Sequence, residues 1–201
     1  MKKIIAIIIL NSLLINCGQK RDEKKQLVIE KPIEYFLSFR LVDNEFIEYD
    51  IDTLANFNEV LKIIEKTDCR KEYALFKLET EEKIYKIQPL QICNAPFDFK
   101  LREIIYINTD SITVNYELKY PIDSLKTVLK NHLQNPKNDR NYPSKDEKKL
   151  ISINVDKLKS IFETKNLLLK ILADIMEFEN KKYANLMFEN TGIFPNAIIE
   201  E

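Results

Sequence analysis

The chain is poor in the residues from which many active sites are built. Its 201 residues include two glycines, one histidine and no tryptophan. A phosphate-cradling loop needs several glycines, because the backbone must approach the ligand closely. A multi-histidine metal site needs more than one imidazole. A nucleotide hydrolase and a histidine-based zinc protease are therefore set aside. Charge of one sign is lacking too: 31 Lys and Arg stand against 32 Asp and Glu, for a formal net charge of −1. Lysines and glutamates are interspersed, so the clustered basic face that nucleic acid requires is missing, and no nucleic-acid partner is expected. No apolar run reaches the roughly 20 residues of a membrane-spanning helix.

What is present is concentrated first at the N-terminus. Lys2 and Lys3 precede the apolar run 4–10, then Leu13, Leu14, Ile15 and Asn16 lead to Cys17. About a dozen apolar residues suit the h-region of a signal peptide rather than a span. The order of charge, apolar run and cysteine, with Leu14 three positions ahead, resembles a bacterial lipoprotein signal. That resemblance implies that residues 1–16 are removed and that Cys17 is acylated as the first mature residue. Asn16 departs from the small residue usual before the cysteine. An ordinary secretory signal and a short inner-membrane anchor are the alternatives. Residues 17–31 follow as a tether. Their run Gly18-Gln-Lys-Arg-Asp-Glu-Lys-Lys-Gln26 has no large apolar side chain with which to offset the entropy of ordering. Gly18 beside the lipidated cysteine resembles lipoproteins sorted to the outer membrane. The expected location is thus the cell envelope, lipid-anchored with the outer membrane favoured, on the periplasmic face or the cell surface.

Two further cysteines remain, Cys69 and Cys93. An exported chain can keep a disulfide. Residues 73–78 and 83–92 read as strands joined by a turn near 80–82. A turn centred on Glu81 sets Cys69 opposite Cys93. Closing that loop would add about 3 kcal/mol on the chain-entropy estimate. Two reduced, half-buried thiols are the alternative.

Beyond the tether the pattern is α+β. Residues 33–42 (IEYFLSFRLV) and 46–51 read as strands, separated by the turn signal Asp43-Asn44. Asp52 or Thr53 is placed to cap a helix whose Leu54, Phe57, Val60, Leu61 and Ile64 form one apolar stripe. After the hairpin of 73–92, Asn94-Ala-Pro-Phe-Asp98 breaks the pattern and divides an N-terminal region, 32–99, from a C-terminal one, 100–201. There, 103–107 and 112–119 flank the turn signal 108–111. Asp123 or Ser124 opens a helix with Leu125, Val128, Leu129 and Leu133. A polar loop, 135–147, leads to the strand 150–155 and a longer helix bearing Leu168, Ile171, Leu172, Ile175 and Phe178, with Gly192 as the natural terminator of whatever helix persists. The helix openings Ile51-Asp-Thr-Leu54 and Ile122-Asp-Ser-Leu125 are alike. The expected fold is α+β, with antiparallel or mixed sheets and helices packed on one face, either as one body or as two similar subdomains.

Candidate chemistry is thin. His132 lies beside the Leu129–Leu133 stripe with no Ser or Cys nucleophile at a suggestive position, and reads as a partly buried or surface histidine. The carboxylates are spread along presumed solvent faces, with no pair suited to acid–base work. The chain is not expected to be an enzyme, and no cofactor or metal is expected.

From about residue 103 onward the chain resembles the periplasmic domain of the ExbD/TolR biopolymer-transport family. The likeness lies in Ile105-Tyr-Ile-Asn108 and 112–116 as an opening hairpin, Ile122-Asp-Ser-Leu125 as a helix start, and Leu133-Gln-Asn-Pro-Lys-Asn138 as the loop ending that helix. Leu150-Ile-Ser-Ile-Asn154 follows as a strand, then a helix over 166–179 and the tail Phe194-Pro-Asn-Ala-Ile-Ile-Glu200. The family's transmembrane helix and its proton-coupling acidic residue have no counterpart here, so the motor role does not carry over. What the resemblance implies is a soluble docking module with a protein or peptidoglycan partner, associated with TonB/Tol-type complexes. A surface lipoprotein binding a small ligand or host factor is the alternative.

Acylation of Cys17 makes a direct prediction. Wild-type protein should take up clickable palmitate and enter the detergent phase, whereas Cys17→Ala should do neither; equal labelling of the two proteins would refute the anchor.

Overall fold

In the computed structural model, the described residues are 30–38, 45–68, 70–91, 98–144, 148–178 and 184–189. Cys17, Cys69 and Cys93, the tether up to residue 29, the tail and Gly192 lie outside them. Residues Lys31–Glu201 form one compact unit. Among the described residues the fold is α+β, with two mixed sheets and three α-helices.

The N-terminal sheet holds β1 (Ile33–Leu37), β2 (Glu45–Asp50), β3 (Glu72–Glu79) and β4 (Ile84–Gln88), in the order β1-β4-β3-β2. β3 and β4 form the expected hairpin. Its register sets Phe76 against Ile87 and Lys77 against Lys86, so the turn is centred between Glu81 and Glu82 rather than on Glu81. The Thr80 N–H donates to the Lys83 carbonyl at 2.9 Å, and the Thr80 hydroxyl accepts from the Lys83 N–H at 3.0 Å, closing this two-residue turn. β1 and β2 are not neighbours. Each runs parallel to its partner, β4 and β3 respectively, at opposite edges of the sheet.

The first helix, α1, spans Phe57–Lys66 and so begins later than Asp52 or Thr53. Residues Ile51–Thr53 instead make a 3-10 turn, held by the Asp50 carboxylate accepting from the Asp52 N–H at 3.0 Å and by the Thr53 hydroxyl donating to the Asp50 carbonyl at 2.7 Å. The N-cap is Asn56, which accepts from the Glu59 N–H, while the Glu59 carboxylate reaches back to the Ala55 N–H. These bonds satisfy amide groups that a helix start leaves open. Phe57, Val60 and Leu61 then enter the core, each worth about 2 kcal/mol by burial.

The C-terminal sheet runs β7-β6-β5-β8-β9. It contains β5 (Ile104–Ile107), β6 (Ser111–Val114), β7 (Leu118–Pro121), β8 (Lys149–Ile153) and β9 (Ala184–Phe188). The stretch 112–119, expected as one strand, is broken into β6 and β7 by a tight turn in which Asn115 and Tyr116 adopt φ of 50° and 57°. The longer helix, whose end the sequence left open, is α3 over Ile161–Met176, and the chain returns as β9, parallel to β8. Ala, Leu and Met in β9 favour helix in isolation. The ladder offered by β8 overrides that preference.

The second helix, α2 (Leu125–Gln134), follows a 3-10 turn at Ile122–Ser124, so the two similar openings share a local form. Their connections differ. The first joins adjacent strands, whereas the second carries β7 over to β8, with β6 and β5 between them.

Alternate residues of the C-terminal sheet (Ile105, Ile107, Ile151, Ile153, Leu186 and Phe188) join Leu129 of α2, Leu168 of α3, and Phe57 and Phe76 of the N-terminal half in a single core. The helices thus cover one face of this sheet. Lys165 of α3 also reaches Asp52, donating to both carboxylate oxygens at 2.8 and 2.7 Å.

The C-cap of α2 organises the polar loop that follows. Asn135 sits in the left-handed region at φ 40°; its Nδ2 donates to the carbonyls of Asp139, Tyr142 and Pro143, and its Oδ1 accepts from the Asp139 N–H at 2.8 Å. Replacing Asn135 with Ala should lower unfolding free energy in urea by about 2–3 kcal/mol through lost hydrogen bonds and the left-handed penalty. Gly should recover about 1 kcal/mol of that, the backbone share.

Candidate functional site

β5, β8 and β9 are parallel neighbours, and their carboxyl ends lie together. In sheets with parallel strands this is where ligands are commonly held, because loops diverge there and leave an opening. The ladder continues one residue past the strands. The Asn154 N–H donates to the Ile107 carbonyl, and the Glu189 N–H donates to the Ile153 carbonyl, both at 2.9 Å. Strand alternation sends Ile107, Ile153 and Phe188 into the core. It therefore sends Tyr106, Ser152 and Met187 to the opposite face, and Asn108, Asn154 and Glu189 after them.

This outer face is divided along the strands. Ile104 and Leu150, towards the amino ends of the parallel strands, and Met187, level with Ser152, form an apolar strip against which Leu90, Phe99 and Tyr106 pack. Towards the carboxyl ends of the strands the face is polar and open, with a cleft of about 220 Å³ lined by Tyr106, Ile107, Asn108, Thr113, Tyr116 and Asn154. Tyr106 and Tyr116 face each other, ring centroids 4.9 Å apart and tilted by 47°. Their hydroxyls share a hydrogen bond of 2.5 Å. Burial pushes both phenols above their ordinary range, and the nearby Glu189 charge pushes the same way. Asn108 is held in place: its Oδ1 accepts from the N–H groups of Asp110 and Ser111 at 2.9 and 2.7 Å.

Glu189 is the most unusual group here. Both carboxylate oxygens are shielded from solvent, as is the Ser152 hydroxyl in the neighbouring strand; the two groups lie within hydrogen-bonding reach of each other but short of good geometry. Burial raises the carboxyl above its ordinary value, and among the described residues a hydrogen bond from Ser152 works against that rise. A neutral, protonated carboxyl is favoured wherever no countercharge is supplied.

Tyr116 is also held at a cost. It occupies a left-handed turn position that glycine or asparagine fills best, a penalty of about 1 kcal/mol for a tyrosine. That turn lays its ring across Tyr106 and leaves it 44% exposed. Backbone strain of this kind gathers at functional positions.

A second cleft, of about 320 Å³, lies on the outer face of the N-terminal sheet, lined by Tyr35, Leu37, Phe46 and Leu75. Its flanking charges are already matched. Lys86 pairs with Glu48 at 2.5 Å and stands 5.9 Å over the Tyr35 ring, and Lys77 bridges Asp50 and Glu79. Such an apolar slot with paired rims has less to say about a ligand than the Tyr106–Tyr116 cleft.

His132 differs from its expected place. It is fully buried under α2, and neither ring nitrogen has a hydrogen-bond partner of good geometry. Lys149, also buried, opens β8 nearby and donates to the Ser144 carbonyl at 3.2 Å. Burial, aided by the Lys149 charge, lowers the imidazole from 6.5 to about 3. Among the described residues no helix is long and apolar enough to cross a membrane. The chain matches no protein-family model, no curated protein and no solved structure.

Burial of His132 makes the stability acid-sensitive. The unfolded histidine takes a proton near pH 6.5 and the folded one only near 3. Stability is thus complete above pH 6.5 and declines below it, by about 2 kcal/mol at pH 5. The raised carboxyl of Glu189 tilts the opposite way, so the informative quantity is the difference between wild type and His132→Leu. Urea unfolding should show the variant within about 1 kcal/mol of wild type at pH 7.5 and relatively more stable at pH 5.

Proposed function

We infer that this chain is a non-catalytic binding module of the cell envelope, held to the membrane through an acylated Cys17. It docks a peptide-bearing partner, protein or peptidoglycan, on the outer face of its C-terminal sheet. The observation that carries this reading is the placement of Tyr116: a large aromatic ring kept at a strained turn position between β6 and β7, stacked on Tyr106 of β5 and open to solvent on the outer face of the C-terminal sheet. Tyrosine supplies wide contact area and a hydroxyl at small entropic cost, which suits recognition of another chain.

The size of the cleft also bears on the choice. At about 220 Å³ it is below the range of roughly 300–1,000 Å³ typical of small-molecule pockets. It suits one side chain or one peptide unit better than a whole small ligand. The resemblance of residues 103–201 to ExbD/TolR periplasmic domains points in the same direction, towards a docking role beside TonB/Tol-type complexes without a share in their proton chemistry.

In-cell photocrosslinking tests this reading. Benzoylphenylalanine in place of Thr113, in the cleft, should give a discrete adduct with an envelope protein or with peptidoglycan, and the same group in place of Tyr35 on the N-terminal sheet should not. Absence of an adduct from position 113, or equal adducts from both positions, would overturn it.

A further inference from the structure

Each sheet has two edges, and among the described residues three of the four are protected against a further strand. β9 is partly closed from within: the Leu186 N–H donates to the Ser38 hydroxyl at 2.8 Å, and the Leu186 carbonyl accepts from the Leu90 N–H at 2.6 Å. On β7 the Ile122 N–H donates to the Asp110 carbonyl just past the strand, so alternation turns the backbone of Lys119 and Pro121 to the open side. Proline brings no N–H there, and the exposed Lys119 opposes pairing. On β2 the Glu45 N–H donates to the Lys71 carbonyl, which leaves the backbone of Phe46, Glu48 and Asp50 on the open side, two of the three bearing negative charge. β1 has no such protection. The Pro32 carbonyl accepts from the Ile84 N–H at 2.9 Å, and the Ser38 N–H donates to the Gln88 carbonyl at 3.1 Å. Even-numbered residues thus direct their backbone groups at β4, and Ile33, Tyr35 and Leu37 turn theirs to the edge, where no described strand lies. Pro32 does not block this edge, because its missing N–H faces β4. The same three side chains share the outer face of the sheet, and Ile33 and Tyr35 are 46% and 56% exposed. The charge within β1, Glu34, points to the other face and is bonded to Lys83 at 2.7 Å.

We propose that β1 is a self-association edge: two copies of this chain pair their β1 strands antiparallel about a two-fold axis through Tyr35, joining two four-stranded sheets into one of eight strands. The residue pattern favours a second copy over a foreign strand. About that axis Ile33 of each copy lies opposite Leu37 of the other, and Tyr35 lies opposite Tyr35. These residues have their N–H and carbonyl groups turned outward, so each such pair is of the kind that exchanges two hydrogen bonds. Apolar and aromatic side chains meet across the seam on the outer face, and on the inner face Glu34 lies opposite Phe36, so no like charges are opposed. A charged foreign strand finds no free countercharge on β1, since Lys83 already neutralises Glu34. The same pairing of two β2 strands centred on Glu48 sets that carboxylate against its own copy. The two-fold contact uses up the β1 edge, and the charges of β2 oppose growth from the far side, so the assembly closes at two copies. Five residues on each side make a short seam, which places the dimer among weak contacts, with Kd of about 10–100 µM.

The contact lies on the N-terminal sheet and is independent of the docking cleft. Sedimentation equilibrium of the full-length chain in density-matched detergent micelles, from about 1 µM to about 500 µM, spans the expected transition. The protein mass should rise with concentration from that of one chain towards that of two. Tyr35→Lys and Tyr35→Glu should each weaken association by about tenfold, because like charges then meet on the axis, and an equimolar mixture of the two should recover it. Phe46→Lys, on the opposite edge of the same sheet, should associate as wild type does. All three variants should keep the wild-type circular dichroism, since both side chains are exposed and their backbone groups face away from the neighbouring strand. A photocrosslinked product from position 35 at twice the chain mass is this self-contact, distinct from the adduct with another molecule sought from position 113. A wild-type chain that stays monomeric throughout, a loss on Phe46→Lys equal to that on Tyr35→Lys, or a mixture no stronger than its components overturns the proposal.

Discussion

The two sheets are held as one body by β9. This strand is the edge of the C-terminal sheet, yet its backbone is closed on the far side by the N-terminal half. The Ser38 hydroxyl accepts from the Leu186 N–H at 2.8 Å and donates to the Leu186 carbonyl at 3.2 Å, and the Leu90 N–H donates to the same carbonyl at 2.6 Å. Two residues on, Phe188 sets its ring against Phe57 and Phe76, at 6.1 and 5.8 Å between centroids. A single five-residue strand therefore supplies hydrogen bonds to one half, a ladder to the other and an aromatic plug to the core between them. An unpaired strand edge invites association with other chains. Here that edge is partly occupied from within.

Glu189 follows directly from this arrangement. Because Phe188 must face the core, its neighbour must face outward, onto a sheet surface already shaped by Tyr106, Ser152 and Asn154. The position of the carboxyl is thus set by the aromatic plug rather than chosen independently. On the other side of the same sheet the fold tolerates a second departure, His132 beside Lys149, where burial keeps the imidazole neutral. Among the described residues, buried polar atoms short of a well-formed hydrogen bond lie on both sides of β8: the His132 nitrogens under the helices, and the Ser152 hydroxyl and Glu189 carboxyl on the outer face.

Much of the architecture was legible in the sequence. Aromatic and β-branched runs marked β1 to β5, and apolar spacing marked all three helices. Capping residues were recognised by type but misplaced by a few positions at α1, because Asp50 and Thr53 bond to each other's neighbourhood before Asn56 takes over the helix start. The break between β6 and β7 was hidden by Tyr116, a residue whose type argues for strand and against a left-handed turn. β9 was hidden by its composition, since Ala, Leu and Met signal helix until a neighbouring ladder is present. The site was hidden for the same reason. Glu189 reads as one more charge among 32 acidic residues until β9 is recognised and its alternation counted. The turn Asn108-Thr-Asp-Ser111 after β5 was legible as a hairpin turn and nothing more.

The clamp on Leu186 has a kinetic side. Ser38 and Leu186 are 148 residues apart in sequence, and the contact that unites the sheets forms only after the last described strand is in place. Pairings of such separation are slow to form, since a long stretch of chain must be closed before they stabilise anything. Neither half can complete its core early: the N-terminal one waits for Phe188, and β8 waits for a parallel neighbour that arrives after α3. A growing chain consequently cannot close this contact until β9 has been made.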